Sequence, residues 1–156
     1  MNTNLIGLDQ EQSQQLALSL NRLLANYQVF YMNTRGYHWN IKGKEFFVLH
    51  EKFEEIYTDL QTKIDEIAER IRTLEAQPLH SFSSYIEHSE IKEHTNVTDG
   101  QSTVTGLVKG FGQLISQQRN VLSIAAEAGD EGTAAQMGDY IREQEKLVWM
   151  LNAWLQ

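Results

Sequence analysis

Apolar residues recur at every third and fourth position along most of this chain, the period of helices that bury one face. The clearest run is Phe46, Leu49, Phe53, Ile56, Leu60, Ile64, Ile67, Ile71 and Leu74, which predicts a helix from about Lys44 to Leu74. Gly43 precedes it and Pro78 follows it, where a break and a stop are expected. An earlier helix is predicted from about Asp9 to Tyr37, with Leu16, Leu20, Leu23, Tyr27, Phe30 and Tyr31 on its apolar face. Asp9 and Gln12 supply its N-cap pair. A third helix is expected from about Gln101 to Ala128, ended by Gly129. The fourth runs from about Glu131 to the C-terminus, with Thr133 and Gln136 as its capping box.

The second and third helices are separated by a polar connection from Glu75 to about Gly100. That is long for a compact bundle, and it is the length a crossover needs if those two helices run parallel. Phe82, Tyr85 and Ile86 suggest a short helix inside it, over Ser81 to His88. The expected fold is all-α: a four-helix bundle of two hairpins, forming one domain over residues 1–156.

Composition agrees and removes several function classes. One proline and ten glycines in 156 residues leave room for long uninterrupted helices. The absence of cysteine excludes disulfides, thiolate metal sites and a thiol nucleophile. No apolar stretch is long enough for a membrane span, and MNTNLIGLDQEQ has neither the basic nor the apolar part of a signal peptide, so a cytoplasmic location is expected. The formal net charge of −8 argues against a basic nucleic-acid footprint.

The candidate chemistry lies on the second helix. His50 and Glu54 stand near its start, Asp65 and Glu69 near its end, and the four are symmetric about its middle. At about 1.5 Å of rise per residue, His50 and Glu69 of one chain are roughly 28 Å apart and cannot share an ion. A second copy related by a two-fold axis through the helix centre brings His50 beside the partner's Glu69, and Glu54 beside the partner's Asp65. His38, at the end of the first helix, falls next to His50 across a short loop. Each site would take His38, His50 and Glu54 from one chain, and Asp65 and Glu69 from the other. Imidazole with carboxylate suits iron, manganese or zinc. Taken alone, the carboxylates read more readily as a solvated polar face; the two histidines tip the reading toward metal. A site inside one bundle is disfavoured, because no glutamate stands three residues before any of the five histidines.

The stretch YHWNIKGKEFFVLHEKFEEIYTDLQTKIDEIAERIRTLEAQP resembles the signature of the Dps family, the mini-ferritins. The run GDEGTAA and the ending EKLVWMLNAWL resemble the same family, so the likeness spans nearly the whole chain. The resemblance implies a ferritin-like bundle assembled into a hollow dodecamer. It implies a ferroxidase that oxidises Fe²⁺ with hydrogen peroxide, or with O2, and stores the ferric mineral inside, protecting against oxidative stress. It matches His38, His50, Asp65 and Glu69 to the family's ferroxidase ligands. Glu54 falls where many members carry the shorter Asp, and Trp39 matches a tryptophan near that site. Members that condense DNA usually have a lysine-rich extension, which this sequence lacks, so DNA binding is expected to be weak or absent. The alternative is a DNA-compacting or structural helical assembly without catalysis. His80, His88 and His94 read as residues of a solvated loop, with Glu87, Glu90 and Glu93 as a candidate surface cation site. Asp130 and Asp139 read either as members of an acidic pore or as cap and surface residues. Trp149 and Trp154 read as core or interface anchors.

Overall fold

A computed structural model describes residues 2–156 and places five helices in them: α1 (Gln10–Asn40), α2 (Phe46–Thr73), α3 (Phe82–His88), α4 (Gly100–Glu127) and α5 (Glu131–Leu155). The four long helices are the predicted ones, and α3 is the short helix of the crossover. α1 packs on α2 and α4 on α5, and α1 also touches α3 and α4. The two hairpins share one apolar core, in which Tyr27, Phe30, Phe53 and Phe111 are among the largest fully buried side chains. No described helix is long and apolar enough to cross a membrane.

The helix starts follow the chemistry of orphan backbone amides. Asp9 accepts from Gln12 N at 2.9 Å, as expected. Asp99 accepts from Ser102 N at 2.7 Å, and the backbone and hydroxyl donors of Ser102 hold its carboxyl below the usual carboxylate range. α5 starts at Glu131, as expected, but the Thr133–Gln136 capping box does not form. The cap is Asp130, which accepts from Thr133 N at 3.0 Å, while Gln136 turns away to donate to the Tyr140 hydroxyl. Asp130 is buried and receives Arg70 Nη2 of α2 at 2.7 Å, so it serves as a cap and ion-pair partner. Gly43 adopts φ +113° between α1 and α2, a conformation that L side chains avoid.

Two polar devices tie the elements together. Inside the bundle, Gln118 Nε2 donates to Gln144 Oε1 and Gln144 Nε2 donates to Tyr27 Oη, both at 2.8 Å; Tyr27 Oη donates in turn to Gln118. This closed ring joins α1, α4 and α5 and satisfies side chains that are nearly inaccessible. Burial pushes the Tyr27 pKa up, which keeps the phenol protonated as a donor. The crossover is held by Asn26 of α1, also buried. Its Oδ1 accepts from Ser89 Oγ, Glu90 N and Ile91 N at 3.0, 2.7 and 3.1 Å.

Candidate metal centre

α1 continues to Asn40, three residues past Tyr37, and His38 sits in its last helical turn, at the end of the first helix as expected. Residues 41–45 then reverse the chain into α2, and His50 comes to lie against His38. The two imidazoles stack with centroids 3.8 Å apart and planes 14° apart. Each ring is anchored by the other residue's backbone: His38 Nδ1 lies 2.6 Å from His50 O, and His50 Nδ1 lies 2.7 Å from His38 O. A carbonyl oxygen only accepts, so Nδ1 of each ring carries the hydrogen. Nε2 of each neutral ring is then left with a free lone pair, the arrangement usual for metal-binding histidines. Tyr57 packs edge-on against His38 at 5.3 Å, and Phe46 stacks on His50 at 4.9 Å.

Glu54 is one turn along α2 from His50, and its Oε1 lies 3.8 Å from His38 Nε2. His38 is buried whereas the Glu54 side chain is 59% exposed, so the cluster opens outward through the carboxylate. An open groove continues along α2 from His50 to Thr62, lined by Glu51, Glu54, Glu55 and Asp59. Asp65 and Glu69 lie exposed farther along the same helix. The fold brings His38, His50 and Glu54 together and leaves Asp65 and Glu69 of the same protomer apart from them. Among the described residues, no three His, Asp or Glu side chains of one protomer form a group able to hold a metal ion.

The crossover residues behave differently from one another. His80 and His88 are exposed and their Nδ1 atoms bond local carbonyls, of Pro78 at 3.0 Å and Ser84 at 2.9 Å. Glu87, Glu90 and Glu93 do not gather with them into a cation site among the described residues. His94 is exposed, as expected of a loop residue, but its ring also reaches the Tyr37 hydroxyl, with Nδ1 2.5 Å from Tyr37 Oη. Trp149 and Trp154 lie outside the core, 66% and 37% exposed.

Three further features had no signature in the sequence pattern. Arg35 places its guanidinium over the rings of Trp39, Tyr57 and Tyr31, at 4.7, 5.3 and 5.5 Å. Lys63 of α2 is buried, with its ammonium 2.6 Å from Asp59, 3.2 Å from Glu143 and 5.1 Å from the Tyr140 ring centroid. Tyr37 is the third: burial raises its pKa to about 12.

The Ferritin-like domain family matches residues 17–156. The crystal structure of a Dps protein from Vibrio cholerae O1 superposes with a TM-score of 0.98 at 72% identity, covering 100% of this chain and 98% of that one. The DNA protection during starvation protein of Porphyromonas gingivalis is 44% identical over 95% of this chain and 93% of its own length. The chain belongs to the Dps family. A Dps protein from Bacillus brevis, 37% identical over 94% of this chain and 98% of its own, superposes with a TM-score of 0.91. The Vibrio cholerae protein is described as a member of a broad superfamily of ferritin-like diiron-carboxylate proteins. Membership in the Dps family agrees with the all-helical bundle and with its crossover between α2 and α4.

Proposed function

We propose that this Dps-family chain is a ferroxidase that oxidises Fe²⁺ and stores the ferric product, with each iron site shared by two protomers. The observation that carries the reading is the pair of reciprocally anchored imidazoles, with free Nε2 atoms, that of His38 lying 3.8 Å from the Glu54 carboxylate. His38, His50 and Glu54 form one half of the site. Asp65 and Glu69 of a two-fold-related copy form the other, their i, i+4 spacing putting both on one helix face. Two ferrous ions give one electron each to hydrogen peroxide, which takes up two protons and leaves as two waters. Dioxygen is the slower oxidant. The carboxylates favour Fe³⁺ by charge, and zinc or manganese suits the same nitrogen and oxygen donors as a substitute.

A closed homo-oligomer, a dodecamer by family analogy, supplies the partner copies and the storage space. Exposed apolar side chains at the start of α2 (Phe47 at 81%, Val48 at 59%) and at the end of α5 support burial against such copies. The cytoplasm, where ferrous iron and peroxide meet, is the proposed location. The net charge of −8 leaves little attraction for DNA, so no retardation is expected in a gel shift at moderate salt; tight, salt-resistant retardation would favour the DNA-compacting reading.

Anomalous scattering from crystals soaked in ferrous salt tests the site. Iron density is expected between His38 and His50 of one protomer and the Asp65–Glu69 face of another. Density confined to one protomer, or none near His38, would refute the assignment.

A further inference from the structure

The geometry points to Tyr37 as an electron donor to the proposed iron site, its phenolic proton passing to His94 as the electron leaves. The inference rests on the ferroxidase reading given above. Tyr37 is next to His38 in sequence, and its ring packs 5.9 Å from Phe53 of α2, between His50 and Glu54 in chain order. An oxidising equivalent formed at His38 therefore has a buried aromatic ring one residue away.

The pair is assembled from four separate places in the chain. Asn33 holds the crossover strand on both sides of Glu93: its Nδ2 donates to Lys92 O and its Oδ1 accepts from His94 N, both at 2.9 Å. That clamp delivers the His94 ring edge-on to Tyr37, with centroids 5.6 Å apart and planes at 88°. Gly106 of α4 leaves the space for the contact. A Cβ there would collide with Tyr37 Oη and stand 3.1 Å from His94 Nδ1. A phenol that loses an electron needs somewhere for its proton to go, and His94 Nδ1 stands 2.5 Å from Tyr37 Oη.

The other aromatic side chains near the site are less suited. Trp39, Tyr57 and Tyr31 lie beside the fixed positive charge of Arg35, which raises the cost of removing an electron from any of them. Tyr140 does have a base, donating to Glu66 Oε1 at 2.7 Å, but the Lys63 ammonium sits over its ring. Tyr27 donates to an amide and Tyr85 to a carbonyl, neither of which takes up a proton readily. Among the six tyrosines, Tyr37 alone combines a hydrogen-bonded base with no cation over the ring.

The step balances when only one ferrous ion occupies a site. Peroxide then takes one electron from Fe²⁺ and one from Tyr37. With two protons from solvent it leaves as two waters. Fe³⁺, a neutral tyrosyl radical and a protonated His94 remain. Peroxide is thereby reduced fully even where a second iron is missing, and no hydroxyl radical is released.

The test is rapid-freeze paramagnetic resonance on the assembled protein, loaded with one Fe²⁺ per site and mixed with hydrogen peroxide. Ferric iron is followed optically in the same mixture. A tyrosyl signal is expected that narrows when the tyrosine rings are deuterated. It should be lost in Tyr37→Phe and largely lost in Gly106→Ala, which keeps the phenol but spoils the contact with His94. An unchanged signal in Tyr37→Phe, an indole radical in the unsubstituted protein, or ferric iron without any organic radical overturns this inference and leaves the ferroxidase reading standing. Failure to form ferric iron at all overturns both.

Discussion

Mixing His38→Ala protomers with Asp65→Ala protomers is expected to restore about a quarter of the ferrous-oxidation capacity that each variant alone has lost. Groups that merely support a metal ligand already cost up to 100-fold when removed, so loss of a ligand itself should lower each pure variant's rate by on the order of 100-fold or more. The two defects lie on opposite halves of the proposed shared site. Random pairing gives mixed dimers about half the time, and in each of these one site carries both defects while the other is intact. If all ligands came from one protomer, mixing would restore nothing. The measurement is the initial rate of ferric formation after the two variants are unfolded together and reassembled, beside each reassembled alone. Absence of rescue in correctly assembled mixtures would refute the shared site. His38→Ala and Asp65→Ala combined in one chain, mixed with unsubstituted protein, gives a complementary result: neither site of a mixed dimer is complete, so activity falls to about a quarter and not to a half.

The largest single loss of stability is expected from Phe111→Ala, about 3–5 kcal/mol. Phe111 is 1% exposed and meets Phe30 edge-to-face at a centroid distance of 4.9 Å. Phe30 lies so close to Gly110 that any Cβ at that position would collide with it. Truncation of Phe111 removes a large buried apolar surface and the aromatic pair, and the space between α1 and α4 is left underfilled. The urea midpoint should fall with an unchanged slope. Because a domain's whole stability is about 5–15 kcal/mol, the loss is a large fraction of it. A midpoint shift equivalent to less than about 1 kcal/mol would show that the core collapses to fill the void.

The helices were readable because each writes its own period. An apolar stripe at three-and-four spacing requires only local geometry, and it located α1, α2, α4 and α5 before any packing was known. The pairing of His38 with His50 was readable for a similar reason: a five-residue reversal between antiparallel helices leaves little choice of neighbour. Asp65 and Glu69 were legible only as a symmetry, since their proposed partners belong to another copy. The start of α5 was read correctly at Glu131, but its cap was misread: the Thr133–Gln136 pattern competes with Asp130, and Asp130 is favoured by Arg70, sixty residues away in the chain. His94 is exposed, as its polar neighbours suggest, but its contact with Tyr37 was not legible. Its actual position is set by Asn33, and nothing near His94 in sequence announces that clamp. Trp149 and Trp154 fit the helical period of α5, yet they fall on a face that one protomer leaves uncovered.

The three hydrogen bonds that Asn26 accepts from the crossover also bear on how copies of the chain remain distinct. Residues 74–99 are the natural hinge at which one hairpin could leave its own mate and pair with that of a neighbour, and crowding copies into the proposed closed oligomer would favour such an exchange. Releasing the hinge requires stripping a buried carboxamide oxygen of all three donors at once, which is costly away from water. One asparagine thus keeps the connectivity private to each subunit.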